Sequence, residues 1–133
     1  MSVALLLNTH DTIGNSMLET ATNMLGICPL ATENLAITNQ QKLEAMQERA
    51  EMLCKKIDQG DGILILTDMY GSTPSNIASR LLNTRNRTVV TGLNLPMLVR
   101  VMNYAQLNLQ ELANKAMSSI EDSVFLINQP ADP

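Results

Sequence analysis

The sequence predicts an α/β fold, a three-layer sandwich in which a mostly parallel β-sheet lies between helices. Two features of the chain favour this class. Residues 3–7 and 63–66 are wholly apolar, without alternating polar positions, which is typical of parallel strands buried on both faces. Strand and helix patterns also alternate along the chain. With 133 residues, 45% of them hydrophobic, residues 1–133 are predicted to form a single domain with its own core.

The first half of the chain predicts two strands, each followed by a helix. Residues 3–7 form the first strand, and apolar residues at helical spacing then predict a helix over residues 13–25, which Gly26 would end. The short apolar run at residues 35–37 predicts a second strand. A longer helix is predicted over residues 43–57, because apolar side chains recur three or four residues apart between charged ones.

The second half of the chain continues the same alternation. The strand at residues 63–66 is followed by a polar loop and then by a helix, in which Thr73 suits the N-cap and Pro74 the first helical position. A short run rich in β-branched residues at 88–91, closed by Gly92, predicts a fourth strand. The remaining elements are two helices and a final apolar strand, at residues 95–105, 109–117 and 124–127.

Charge and cysteine content argue against several classes of partner. A net charge of −4 and a pI near 4.8 disfavour nucleic acid and acidic membrane surfaces. Cys28 and Cys54 lack the spacing of a zinc site or a redox pair, and a single histidine leaves little for a metal centre, so we expect no metal or other cofactor. The sequence pattern shows neither an export signal nor an apolar run long enough to span a membrane, so we expect the protein in the cytoplasm.

Two reactive side chains follow two of the predicted strands. His10 comes just after the first strand and Asp68 just after the third, so the two meet if these strands are neighbours in the sheet. A carboxylate that accepts the proton of one imidazole nitrogen leaves the other nitrogen as a nucleophile, and it stabilises positive charge on the ring. The alternative is that His10 is an incidental loop histidine.

The loop at residues 71–74 has the features of a phosphate site. It leads into a helix whose amino end offers free backbone N–H groups, and the hydroxyls of Ser72 and Thr73 lie beside them in sequence. The alternative is that Asp68 and Thr73 only cap the loop and the helix. A serine hydrolase with Ser72 or Thr73 as nucleophile is disfavoured because no G-x-S-x-G elbow is present, and the chain has no phosphate-binding loop of the nucleotide hydrolases.

Three stretches of the chain resemble the mannose-class EIIA domains of the bacterial phosphoenolpyruvate–sugar phosphotransferase system (PTS). They are residues 7–10 (Leu-Asn-Thr-His), residues 61–76, which include Thr-Asp-Met-Tyr-Gly-Ser-Thr-Pro, and residues 92–98 (Gly-Leu-Asn-Leu-Pro-Met-Leu). The resemblance covers essentially the whole chain. It implies a sheet of strand order 2-1-3-4, with the fifth strand as an antiparallel edge strand.

The resemblance also implies the roles of individual residues. In this family a strand-end histidine takes a phosphoryl group from phospho-HPr and passes it to an EIIB domain for sugar uptake and phosphorylation. Carried over by position, His10 is the phosphoacceptor and Asp68 orients its ring. The phosphate-binding residues implied in the same way are Thr9, Gly71, Ser72 and Thr73. Such a protein is a phosphotransferase component that uses neither metal nor nucleotide.

The partners implied by the resemblance are HPr as donor, an EIIB domain as acceptor and, through EIIB, a membrane permease. Mannose-class EIIA domains are dimers in which the carboxyl-terminal strand joins the partner's sheet, so a homodimer that exchanges residues 123–128 is implied as well. Three other functions stay open. They are a stand-alone regulator that reports its phosphorylation state, a phosphotransfer subunit of a dihydroxyacetone kinase, and a small ligand-binding module that no longer transfers phosphate.

The chain departs from the family pattern at three places. Asp11 stands where the family has glycine, so a negative charge is close to the incoming phosphate. The family's Gly-Gly-Ser triplet is Gly71-Ser72-Thr73 here, and its Pro-Gly loop after the second strand is absent around residues 38–41. These departures bear on the rate of transfer and on the choice of partner more than on the fold.

Overall fold

A computed structural model of the protein describes residues 2–131. Within this range the chain forms four β-strands, β1 (Ala4–His10), β2 (Thr32–Ile37), β3 (Ile63–Thr67) and β4 (Arg87–Thr91). It also forms five α-helices, α1 (Ile13–Leu25), α2 (Leu43–Ile57), α3 (Thr73–Arg80), α4 (Leu95–Asn103) and α5 (Leu109–Ser118). Short 3₁₀ turns follow α3 and α5 at Leu81–Asn83 and Ser119–Asp122.

The four strands form one parallel sheet in the order β2-β1-β3-β4, as predicted. β1 and β3 are the two central strands, and their apolar residues are fully buried. Because all four strands point the same way, their carboxyl ends meet at one edge of the sheet. In the register at this edge, Asn8 of β1 lies opposite Thr67 of β3, and His10 lies opposite Ile37 of β2.

Helices cover both faces of the sheet and bury two hydrophobic clusters. On one face α1, α4 and α5 pack on alternate strand residues that include Leu5 and Leu64. On the other face α2 and α3 pack on the intervening residues, which include Leu6 and Ile65. This is the three-layer arrangement that the wholly apolar strands predicted. Within residues 2–131, no helix combines the length and the apolar character needed to cross a membrane.

Several element boundaries differ from the sequence prediction. β1 continues three residues beyond the apolar run and ends at His10, because it is paired with β2 through that residue. β2 begins at Thr32 instead of residue 35. The N-cap of α3 is Ser72, one residue before the predicted Thr73, so that Thr73 and Pro74 both lie in the first turn of the helix.

The predicted fifth strand is not formed within the single chain. Residues 124–131 carry neither helix nor strand, and the four apolar side chains at the predicted strand are 69–91% exposed: Val124, Phe125, Leu126 and Ile127. A strand needs a neighbour to satisfy its backbone N–H and C=O groups, and among the described residues this segment has none in its own sheet. The antiparallel edge strand is therefore not confirmed, and its pairing with a second copy stays a prediction.

Candidate functional site

The site is built around His10, the last residue of β1, at the edge where the four strands end. Its backbone is held in the sheet by pairing with β2, while its side chain remains 43% exposed. A histidine at this position combines a fixed backbone with a ring that a partner molecule can reach. The structure thus makes His10 a strand residue, where the sequence placed it in the loop after the strand.

Asp68 follows β3 and lies beside His10. Nδ1 of His10 is 2.8 Å from Oδ2 of Asp68, and the backbone N–H of His10 donates to the same oxygen at 3.2 Å. An ionised carboxylate can only accept, so this contact places the proton of the neutral ring on Nδ1. Nε2 is then the unprotonated nitrogen, with a lone pair available to attack an electrophile. The predicted meeting of these two side chains is what the structure shows.

The loop between β3 and α3 turns sharply beside this pair. Gly71 has a φ of +81°, which favours glycine. Ser72 caps the helix through its backbone, accepting from the N–H of Asn76 at 2.9 Å, while its hydroxyl donates to the carbonyl of Met69 at 2.6 Å. The N–H of Thr73 lies ahead of this first helical bond and has no carbonyl of the helix to bind. The amino end of α3, where helix dipoles favour negative charge, is therefore next to the histidine.

A cavity of about 270 Å³ connects His10 to Thr73. Its other wall consists of β2, the loop after it and the start of α2, contributed by Ile37, Thr38, Asn39, Gln41, Leu43 and Met46. Sequence reasoning did not place the residues of this wall at the site. The signal was available, because β2 is parallel to β1 and the loop after it must open at the same edge of the sheet.

The side chain of Thr9 points away from His10, and its part in a phosphate site stays a prediction. Its side chain is 1% exposed, and its hydroxyl accepts a hydrogen bond from the N–H of Gly14 in α1 at 2.9 Å. Successive strand residues point to opposite faces of a sheet, so Thr9 faces α1 while His10 faces α2 and α3. A side chain at Gly14 would meet this hydroxyl, because a Cβ there would lie 3.0 Å from it.

Asp11 has a left-handed backbone conformation, which glycine adopts more readily than other residues. Its φ is +46°, in the left-handed region, and its N–H donates to the carbonyl of Ile37 at 2.9 Å. Glycine adopts this conformation without cost, whereas aspartate does so only with some strain. The chain turns tightly immediately after His10, which accounts for the glycine that the family resemblance implies at this position.

The comparisons with known proteins agree with the fold. The EIIA-man family model, the fructose IIA component of the PTS system, matches residues 4–117, and the chain belongs to this family. Members of the family are phosphotransferase components of the sugar phosphotransferase system. The chain is similar to the mannose/sorbose specific IIA subunit of the phosphotransferase system from Enterococcus faecalis, with a TM-score of 0.87 and 25% identity over 100% of both chains.

Two curated relatives are longer proteins. The mannose-specific EIIAB component of Escherichia coli (strain K12) is 30% identical over 106 residues, which make up 77% of this chain and 32% of that protein. The transcriptional regulatory protein LevR of Bacillus subtilis (strain 168) is 31% identical over 118 residues, which make up 83% of this chain and 12% of that protein. The chain thus spans about a third of the first relative and about an eighth of the second.

Proposed function

We propose that this protein is a phosphoryl carrier of the sugar PTS, in which His10 accepts a phosphoryl group from phospho-HPr and passes it to an EIIB domain. The observation that carries the proposal is the hydrogen bond of 2.8 Å between Nδ1 of His10 and Asp68. It leaves Nε2 as the nucleophile on a half-exposed ring, beside a helix amino terminus. Its membership of the EIIA-man family supports the same chemistry.

The transfer is an exchange of one bond to phosphorus for another. Nε2 of His10 attacks the phosphorus atom, and the bond from phosphorus to the donor atom of phospho-HPr breaks with its electron pair returning to that atom. No proton leaves Nε2, because the tautomer selected by Asp68 already presents a lone pair there. Positive charge that develops on the ring is stabilised by the Asp68 carboxylate. The reverse exchange, with a nucleophile of EIIB, unloads His10.

The amino end of α3 supplies the counterpart for the negative oxygens of the phosphoryl group. Thr73 lines the same cavity as His10, and its backbone N–H is one of the unpaired donors of the first helical turn. We assign Gly71 to the turn that brings these groups close. The hydroxyl of Ser72 donates to Met69 in the unloaded protein, so binding a phosphoryl oxygen requires it to rotate away from that carbonyl.

A homodimer is part of the proposal. Four consecutive exposed apolar side chains at residues 124–127 are an unusual surface for an isolated chain. β4 is an edge strand of the sheet, and its outer backbone groups are available for pairing. A second copy satisfies both features when its residues 123–128 add to β4, as the family resemblance implies.

A regulatory role is the second candidate, and the similarity to LevR supports it. In that case phosphorylation of His10 changes a contact with another protein, and no sugar is involved. The two functions differ in the fate of the phosphoryl group. A transport carrier passes its phosphoryl group to an added EIIB domain, whereas a regulator keeps it.

Labelling with phosphoenolpyruvate tests the proposal. The protein is mixed with enzyme I, HPr and labelled phosphoenolpyruvate, and we expect one phosphoryl group per chain, on His10. A nitrogen–phosphorus bond is labile in mild acid and stable in base, which distinguishes it from a serine or threonine ester. Undiminished labelling of His10→Ala would overturn the assignment of His10. Addition of an EIIB domain to the loaded protein then separates the carrier from the regulator.

A further inference from the structure

We propose that Asn8 is a positioning residue for phosphoryl transfer, which holds the first turn of α3 in place beside His10. The inference rests on the proposed function. It concerns a side chain outside the set that binds the phosphoryl group, and it assigns a role to an amide buried beneath the site.

The position of Asn8 ties β1 directly to α3. Asn8 lies two residues before His10, so the two side chains point to the same face of the sheet, the face that α3 covers. Asn8 is fully buried, and its Nδ2 donates to the carbonyl of Pro74 at 2.7 Å. This hydrogen bond joins two residues that are 66 positions apart in the sequence. It links β1, which carries His10, to α3, which faces His10.

Stability alone does not account for an amide at this position. Oδ1 of Asn8 is buried and accepts no hydrogen bond from residues 2–131, and the same holds for the hydroxyl of Thr67, its register partner in β3. A buried amide with a polar atom unsatisfied is less favourable than an apolar side chain of similar size. Among residues 2–131, the one hydrogen bond of the Asn8 side chain is to α3, so the contribution of this side chain is to fix where the helix begins.

The start of α3 matters because Thr73 immediately precedes Pro74 and lines the cavity with His10. Without the bond from Asn8, the first turn of α3 is free to shift relative to the end of β1. A shift of about 1 Å between reacting groups and the donors that stabilise them costs a transfer reaction on the order of tenfold to a hundredfold in rate. Asn8 is buried, so its side chain does not itself contact a docked donor protein.

The test compares Asn8→Leu and Asn8→Ala with the parent at temperatures well below the melting point of each. Potassium phosphoramidate, a small phosphoryl donor that needs no docking surface, and phospho-HPr both serve as donors. We expect the rate with phosphoramidate to fall on the order of tenfold in both variants. With phospho-HPr we expect kcat to fall by a similar factor while KM stays at the parent value. The folded fraction of each variant, measured at the assay temperature, should equal that of the parent, which excludes a loss of active protein as the cause.

Asn34→Ala is the matched control. Asn34 is in the neighbouring strand β2, also has a buried Oδ1 without a partner among residues 2–131, and faces α1 instead of α3. Asn34→Ala should change the stability of the protein and leave both rates unchanged.

Folded Asn8 variants that accept phosphoryl groups at the parent rate would overturn the inference. If phosphoramidate labels His10 of the parent protein but phospho-HPr does not, the proposed function is overturned instead. The phosphoramidate rates would still decide the role of Asn8.

A measurement on the parent protein decides the matter if the variants do not fold. The side-chain amide protons of Asn8 should exchange slowly with solvent, and their NMR signals should shift when phosphoramidate loads His10. Asn39, which is exposed on the loop after β2, provides the fast-exchanging reference. Exchange of the Asn8 amide as fast as that of Asn39, or signals that do not move on loading, would contradict the inference.

Discussion

Oδ2 of Asp68 accepts two hydrogen bonds from one residue, the backbone N–H of His10 at 3.2 Å and its ring Nδ1–H at 2.8 Å. The first bond fixes the end of β1 against the end of β3, and the second fixes the rotation of the ring. Oδ1 of the same carboxylate is buried and has no hydrogen-bond partner among residues 2–131. The side-chain hydrogen bonds of Asp68 are therefore directed at His10, so its proposed role in transfer can be tested by a substitution that keeps its size.

Replacing Asp68 by asparagine should slow transfer without unfolding the protein. The amide is close in size to the carboxylate, but it carries no charge to stabilise the ring and no longer selects the Nδ1–H tautomer. We expect phosphorylation by phospho-HPr to slow by about tenfold or more, with little change in melting temperature. Asp61→Asn, at an exposed position before β3, is the control. A variant that is loaded at the parent rate would make Asp68 a structural cap.

Asp11 should limit how fully His10 is loaded. Two negative groups a few ångströms apart in water repel by about 1 kcal/mol, which corresponds to a several-fold change in equilibrium. Asp11→Asn removes the charge and tolerates the φ of +46°, and Asp11→Gly removes both the charge and the strain. We expect both variants to show a higher phosphorylated fraction with the same donor mixture, and only Asp11→Gly to melt at a higher temperature. An unchanged fraction in both would rule out repulsion by Asp11.

Thr9→Val distinguishes a structural role of Thr9 from a role in binding phosphate. The hydroxyl that accepts from Gly14 N–H is buried, so its loss should destabilise the protein by about 1–3 kcal/mol. The rate of phosphorylation should not change, because this side chain faces α1. Thr9→Ser, which keeps the hydroxyl, is the control. Slower phosphorylation at unchanged stability would support a place for Thr9 in the phosphate site.

Cys54 predicts a loss of stability in alkaline solution. Burial raises the pKa of this thiol from its ordinary value near 9 to about 11, against the opposing effect of nearby Arg87. The folded state thus favours the neutral thiol, and this contribution is complete below pH 9 and is lost as the pH rises towards 11. The free energy of unfolding should fall between these values by up to about 1.4 kcal/mol per pH unit. Urea unfolding of Cys54→Ala should lack this component, and identical pH profiles would contradict it.

The exposed carboxyl-terminal segment predicts a dimer that depends on it. Light scattering on the full chain should give twice the monomer mass of 14.6 kDa. Truncation after Ser123 removes exposed side chains and little of the core, so the truncated chain should be a folded monomer. Leu126→Lys, at a side chain that is 91% exposed in the single chain, should weaken the dimer in the same way. A well-folded monomer for the full chain at micromolar concentration would refute the proposal.

The sequence predicted the sheet and the central pair of the site because both depend on simple patterns. Wholly apolar strands indicate a parallel sheet, and neighbouring parallel strands bring His10 and Asp68 to one edge. The direction in which Thr9 faces was not predicted, because the predicted first strand ended at residue 7. Once β1 is seen to continue to His10, the alternation of strand side chains puts Thr9 and His10 on opposite faces.

Other features depend on tertiary contacts that periodicity does not contain. Met24 and Met117 share the helical spacing of the apolar residues in α1 and α5, yet both are at least 60% exposed, because the apolar stripe is wider than the contact with the sheet. The wall of the cavity formed by Asn39 and Gln41 has no motif of its own. Its location follows only from the packing of β2 beside β1.

His10 is the last residue of a central strand, and under the proposed function this position affects how fast it reacts with a donor. The backbone of His10 is held by pairing with β2 on one side and by the carboxylate of Asp68, after β3, on the other. It opens only when much of this edge of the sheet opens, so the proposed acceptor nitrogen is in place before a partner arrives. Docking then requires no ordering of the acceptor itself, and the frequency of productive collisions is set by diffusion and by the shape of the surrounding loops. Adaptation to a new donor or acceptor can proceed through the loops after β2 and β3, while the histidine stays where it is.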